Sequence, residues 1–107
     1  MPDLPALDRT RLDLIAGGDE ALAAEFLHAL IEEAQEVLDL IVAAAANDDR
    51  TAVAEFAHRL KGMAAEIGAL RLRAAAAALE AEEPEWRLSH VNSVRSALSE
   101  LRTLETL

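Results

Sequence analysis

The stretch DRTAVAEFAHRLKGMAAEIG, residues 49–68, decides how this chain folds. At about 100° per residue, Val53, Phe56, Ala57, Leu60, Ala64 and Ile67 fall on one face, which must be core. Asp49 is placed to cap the start, and Gly68 to end the segment in a left-handed conformation. A helix from about Arg50 to Ile67 with one buried face is expected.

The flanking sequence extends the same pattern. Asn47-Asp48-Asp49 reads as a turn followed by an N-cap. Before it, Asp19 can cap a long helix running to about Ala46. Its apolar stripe takes in Leu22, Phe26, Leu30, Val37 and Ile41, widened by Leu27, Ile31, Ala34, Leu38 and Ala45. So wide a stripe should touch more than one neighbour. Gly17-Gly18 separates this helix from a short one, capped by Asp8 or Thr10 and ending near Ile15. After Gly68 a helix is expected from Leu70 to about Glu82, with Ala74–Ala78 as a site of close helix packing. Pro84 suits the first turn of a last helix, which repeats Leu88, Val91, Val94, Leu98 and Leu101. Short turns make successive helices antiparallel. The expected fold is all-α: one domain over residues 1–107, an antiparallel up-down four-helix bundle with a short extra N-terminal helix.

Composition agrees. Of 107 residues 52% are hydrophobic but only 3% aromatic, so the core must be Leu, Ile, Val and close-packed Ala. Ala and Leu head the helix-propensity ranking. There is no cysteine, which excludes disulfides, thiolate metal sites and Cys nucleophiles. No basic region precedes an apolar stretch at the start, and no run of about 18 uncharged apolar residues exists. A cytoplasmic protein without membrane contact is expected. The net charge of −10 is uneven: residues 1–49 carry −10, residues 50–73 carry +3, and residues 74–107 carry −3. The overall acidity argues against nucleic acid as a partner. The positive middle is either a local field that tolerates an anion or ordinary variation of a solvated surface.

His58 lies roughly 160° from the centre of the core face of its helix. It points outward or into a shallow groove. One turn back is Ala54, one turn forward Gly62, two turns forward Ala65. A solvent-facing strip normally carries long charged side chains. Here it is small, and Gly62 costs about 1 kcal/mol relative to alanine inside an exposed helix. Such a broken local rule is expected at functional sites, and the gain would be open access to the imidazole. Lys61 is about 60° around the helix. Surface histidines are common, however, and Ala-rich helices produce small neighbours by chance, so periodicity leaves both readings open. His28 and His90 have no comparable setting and read as surface histidines.

The run from Ala57 to Ala69, AHRLKGMAAEIGA, closely resembles the signature of histidine-containing phosphotransfer (HPt) domains. In that family the phosphorylated His is followed by Leu two positions on, then Lys-Gly, then a small pair, then Gly-Ala. This sequence supplies His58, Leu60, Lys61, Gly62, Ala64, Gly68 and Ala69. The resemblance covers roughly residues 12 to 105. One departure is Met63, where the family often has a small polar residue, commonly Ser. Met63 sits at the edge of the core face and is expected to pack inward.

The resemblance implies that His58 accepts a phosphoryl group from an aspartyl phosphate on a receiver domain and passes it to another receiver. The partners would be receivers of response regulators or hybrid histidine kinases in two-component signalling. A neutral imidazole is a competent nucleophile near pH 7, and phosphoryl transfer depends mainly on positioning and charge stabilisation. The chain itself would bind no cofactor, because Mg²⁺ sits on the receiver. Lys61 would reach a phosphoryl oxygen. Ala54, Glu55, Arg59, Gly62 and Ala65 would form the access and docking surface. The chain is expected to act as a monomer without kinase activity of its own.

Three alternatives compete. Glu25/His28 and Glu55/His58 have the E-x-x-H spacing of di-iron bundles, but such ligands must face the interior, and these point away from their apolar stripes. A histidine kinase is excluded by length and by the lack of a Gly-rich phosphate loop. A helical adaptor that binds a receiver or kinase without accepting phosphate is not eliminated by sequence.

Overall fold

The computed structural model describes residues 4–81 and 87–106. Five helices follow in order: α1 Arg9–Ile15, α2 Glu20–Ala46, α3 Arg50–Ile67, α4 Leu70–Glu80 and α5 Arg87–Glu105. The expected all-α bundle is what forms. Three aspartates start three of the helices by the same device. Asp8, Asp19 and Asp49 accept from the backbone N–H three residues on, at 3.2, 3.1 and 3.0 Å. Each satisfies one of the donors a helix start leaves unpaired. Asp8, rather than Thr10, is the cap of α1. Helix α4 ends at Glu80, two residues short of the expected boundary, where the Ala81 N–H turns back onto Ala78 O at 3.3 Å. The expectation for Pro84 falls outside the described residues.

Helices α2 to α5 form a ring in which each packs on its two neighbours, α2 on α3, α3 on α4, α4 on α5, and α5 back on α2. Among the described residues the backbones of the diagonal pairs do not approach closely, which is the four-helix arrangement. Helix α1 lies across α2 and α3 at one end. At 1.5 Å per residue the 27-residue α2 runs about 40 Å, which accounts for the 43 Å long axis. The core is aliphatic: Ile31, Leu38, Ile41, Leu60, Leu72, Leu79, Leu98 and Leu101 are fully buried, and no polar or charged residue is buried among those described. Ala57, Ala64 and Ala76 reach zero exposure, so α3 and α4 approach closely on alanine contacts. No helix among the described residues is long and apolar enough to cross a membrane.

The α3–α4 corner is the tightest connection. Gly68 closes α3 at φ 89°, and Ala69 already precedes α4. The N–H groups of Gly68 and Ala69 both reach Ala64 O, at 3.0 and 2.9 Å. Only glycine enters this backbone region at little cost. A second constraint acts here that sequence does not reveal. A Cβ on Gly68 would lie 3.0 Å from Arg11 Cβ and 3.1 Å from Asp8 O. Helix α1 docks against that bare backbone. The Asp8 N–H donates to Gly68 O at 2.7 Å, and the Arg11 Nε–H donates to Glu66 O at 3.1 Å, satisfying a carbonyl in the last turn of α3.

Candidate functional site

His58 sits mid-way along α3, and its side chain is 69% exposed. The core face beneath it forms largely as the spacing predicts. Val53, Ala57, Leu60 and Ala64 are buried, while Phe56, Met63 and Ile67 are partly buried against the core. The outward strip is as small as expected. A Cβ on Gly62 would meet no heavy atom within 4 Å beyond the helix's own backbone, so the turn after His58 borders open space. Ala54 and Ala65 are half-buried rather than open. Glu55 and Arg59 are exposed. Arg59 Nη2 is 3.7 Å from Glu33 Oε1 on α2, and both side chains are about half exposed. Pairs of this kind contribute little to stability.

The residue that sequence reasoning missed is Glu80. Its carboxylate spans two partners. His58 Nδ1 is 2.6 Å from Oε2, and Lys61 Nζ donates to Oε1 at 2.6 Å. In the sequence no motif singles out Glu80, and the expected helix runs past it to about Glu82. The signal lies in the corner: His58 is eleven residues before Ala69 and Glu80 eleven after it. In an antiparallel helix pair with a two-residue turn, such positions stand level.

This bridge fixes chemistry. The Lys61 ammonium, and after it His58, hold the Glu80 carboxyl below its ordinary value, against the desolvation that raises it. At neutral pH Glu80 is therefore ionised and can only accept hydrogen bonds. The proton between it and His58 must be on Nδ1. In the neutral ring that leaves the lone pair on Nε2. The site thus presents an exposed imidazole with a fixed tautomer, an unencumbered turn beside it, and an ammonium within the same hydrogen-bonded group.

The other histidines stand differently. His28 is 60% exposed on α2, with Nδ1 2.6 Å from Glu105 Oε2 and Nε2 3.5 Å from Glu32 Oε1. His90 lies on α5 at the groove between α4 and α5. Glu25, His28, Glu55 and His58 are all exposed. Both E-x-x-H pairs therefore face away from the bundle interior, where a di-iron centre would be built. Among the described residues no group of three or more His, Cys, Asp or Glu is placed to hold a metal ion.

The fold is similar to the crystal structure of histidine-containing phosphotransfer protein B (HptB) from Pseudomonas aeruginosa PAO1. The TM-score is 0.87 at 23% sequence identity, over 95% of this chain and 92% of that one. No curated protein matches the chain in sequence. The model of the Hpt domain family matches residues 25–104, from the second turn of α2 almost to the end of α5. The match covers well over half of the chain, and on it this protein belongs to the Hpt domain family.

Proposed function

We propose that this protein is a phosphorelay intermediate that carries a phosphoryl group on Nε2 of His58. The observation that carries the reading is the setting of the His58 ring: the Glu80 bridge keeps the proton on Nδ1, and the turn at Gly62 beside the ring borders open space. Attack then requires no proton transfer. The Nε2 lone pair bonds to the phosphorus of a receiver's aspartyl phosphate. The acyl P–O bond breaks with its electron pair passing to the receiver carboxylate. The ring becomes an Nδ1-protonated phosphoimidazole whose positive charge faces the Glu80 carboxylate. Onward transfer reverses the sequence at a second receiver: its carboxylate attacks phosphorus and the N–P electrons return to Nε2.

Lys61 starts the cycle on Glu80 and is near enough along the helix to turn to a phosphoryl oxygen. Ala54, Glu55, Arg59, Gly62 and Ala65 form the surface on which the receiver lands. Mg²⁺ enters with the receiver, at its own acidic pocket. We place this chemistry in two-component signalling in the cytoplasm, with the chain acting as a monomer.

Incubation with a receiver charged by acetyl phosphate tests the reading, with His58→Gln as control. Transfer to the wild type and a loss of at least about 10³-fold in the variant are expected, because the nucleophile itself is removed. Equal labelling of both sinks the assignment. A receiver that binds both proteins without transfer to either would make the chain an adaptor.

A further inference from the structure

We propose that Arg73 is a second cation for the phosphoryl group on His58, reaching it along the groove between α3 and α4 while the chain carries the group from one receiver to the next. The inference rests on the function proposed above and adds the residue that holds the group once a receiver and its Mg²⁺ have left.

The charges of the site call for such a residue. At rest the Glu80 carboxylate and the Lys61 ammonium cancel beside a neutral ring. A phosphoryl group adds nearly two negative charges, and the positive charge of the phosphorylated ring offsets one of them. One negative charge is left over, and Glu55, exposed one turn back on the same helix, adds to it. Arg59 is turned towards α2, 3.7 Å from Glu33.

The place of Arg73 follows from the corner at Gly68 and Ala69. Glu80 stands level with His58 and contacts it. Arg73 is seven residues before Glu80, and Ala65 seven after His58. Seven residues turn a helix through about 700°, roughly 20° short of two full turns. Arg73 therefore leaves α4 on the flank that carries Glu80. It is level with Ala65 and about 10.5 Å along the axes from the His58–Glu80 pair. Between the two levels stand Gly62, Ala65 and Ala77, all small, and Gly62 borders open space. Lys61, the long side chain in this stretch, leans to Glu80. Helices that meet through alanine lie about 8 Å apart, so the Cα atoms of His58 and Arg73 are roughly 13 Å from each other. A phosphohistidine extends about 6 Å from Cα to phosphorus, and an arginine about 7 Å to its terminal nitrogens. Together they close the gap.

Nothing holds Arg73 back from that reach. It is exposed, and among the described residues its guanidinium has neither a hydrogen bond nor an ion pair. Arg11, Arg59, Arg71 and Arg102 each have a partner. A guanidinium also matches phosphoryl oxygens in pairs, which a point charge does not.

Phosphoramidate labels imidazole without a protein partner and so reads the His58 chemistry alone. On labelling, the Arg73 Nε resonance of the nitrogen-15 protein should shift, and it should stay in place in His58→Gln. At equilibrium with a receiver that the wild-type chain discharges, Arg73→Ser should lower the ratio of phosphorylated His58 to phosphorylated receiver about fivefold. Arg73→Lys should recover part of the loss. Arg95→Ser removes an equal charge from α5, which packs on α4 and α2, and should leave the ratio at the wild-type value. An unmoved Arg73 resonance in the labelled chain, or an equal fall in Arg95→Ser, overturns the proposal while leaving the His58 reading intact. A wild-type chain that takes label neither from phosphoramidate nor from any receiver contradicts the His58 reading, and this proposal with it.

Discussion

His58 and His28 begin alike. Each is largely exposed on a long helix, and each has Nδ1 2.6 Å from a carboxylate on a neighbouring helix, Glu80 in one case and Glu105 in the other. They part at the other ring nitrogen. One turn beyond His58 stands Gly62, bordered by open space. One turn beyond His28 stands Glu32, 3.5 Å from Nε2. The charges part too. Around His58 one carboxylate is shared with the Lys61 ammonium, whereas His28 lies between two carboxylates. A carboxylate on Nδ1 is therefore not by itself the mark of a phosphoryl carrier. An approaching phosphoryl group needs the opposite nitrogen uncovered and a cation nearby, and it is repelled by an anion in that place.

The strongest way to break the contrast is to give His58 the neighbour that His28 has. Gly62→Glu should slow receiver transfer about 100-fold, combining crowding with like-charge repulsion. The melting temperature should hold or rise slightly, since replacing a mid-helix glycine with a better helix former gains up to about 1 kcal/mol and the added Cβ meets nothing. Gly62→Gln, without the charge, should fall between the two. Transfer kinetics and a thermal melt on the same samples separate access from folding. Unchanged kinetics in both variants would remove the access explanation.

A smaller effect is expected from the carboxylate that the two histidines have in common. Glu80→Gln still offers an acceptor to Nδ1–H but no charge to face the phosphorylated ring, and should slow transfer about tenfold. Acid tests the same link without mutation. Because its partners hold the Glu80 carboxyl below its ordinary value, the bridge is intact above the carboxylate range and persists part-way into it. It is lost as pH falls through the lowered value. A carbon-13 titration of Glu80 should show this depressed midpoint in the wild type. Lys61→Ala should move it upward, because the Lys61 hydrogen bond is the largest cause of the shift. An undisplaced midpoint in Lys61→Ala would mean that the bridge does not form in solution.

The smallest effect on transfer, though a clear one on stability, belongs to the corner that sets Glu80 level with His58. Gly68→Ala combines a left-handed backbone with contacts of 3.0 and 3.1 Å to α1. A loss of roughly 2 kcal/mol, about 10 °C in Tm, is expected. Transfer should weaken a few-fold, while the His28–Glu105 pair, remote from the corner in sequence, should be untouched. Imidazole nitrogen shifts would report both. A melting temperature equal to wild type would show that α1 gives way freely at Gly68.

These regions also show what could be read from residues alone. Helix boundaries were legible where a capping residue announces them, as at Asp19, Asp49 and Gly68, because the cap is a local interaction. The outward aspect of His58 and the small strip around it were legible because helical geometry fixes facing without reference to other helices. Glu80 was not singled out, since its role depends on which residue of α4 stands beside His58, and that follows from the two-residue corner rather than from any motif. The second demand on Gly68 escaped for the same reason: the pressure of Arg11 on it comes from a helix 55 residues distant in sequence from the Glu66 carbonyl it also contacts. The half-buried state of Ala54 and Ala65 was not legible either, since a single-helix projection leaves out neighbouring elements.

The most direct measurement is phosphorus-to-nitrogen coupling in the phosphoramidate-treated, nitrogen-15-labelled protein. The expected spectrum has one phosphohistidine, with phosphorus coupled to Nε2 of His58 and with Nδ1 still protonated against Glu80. Phosphorus on Nδ1, on His28, or on no histidine would contradict the central claim.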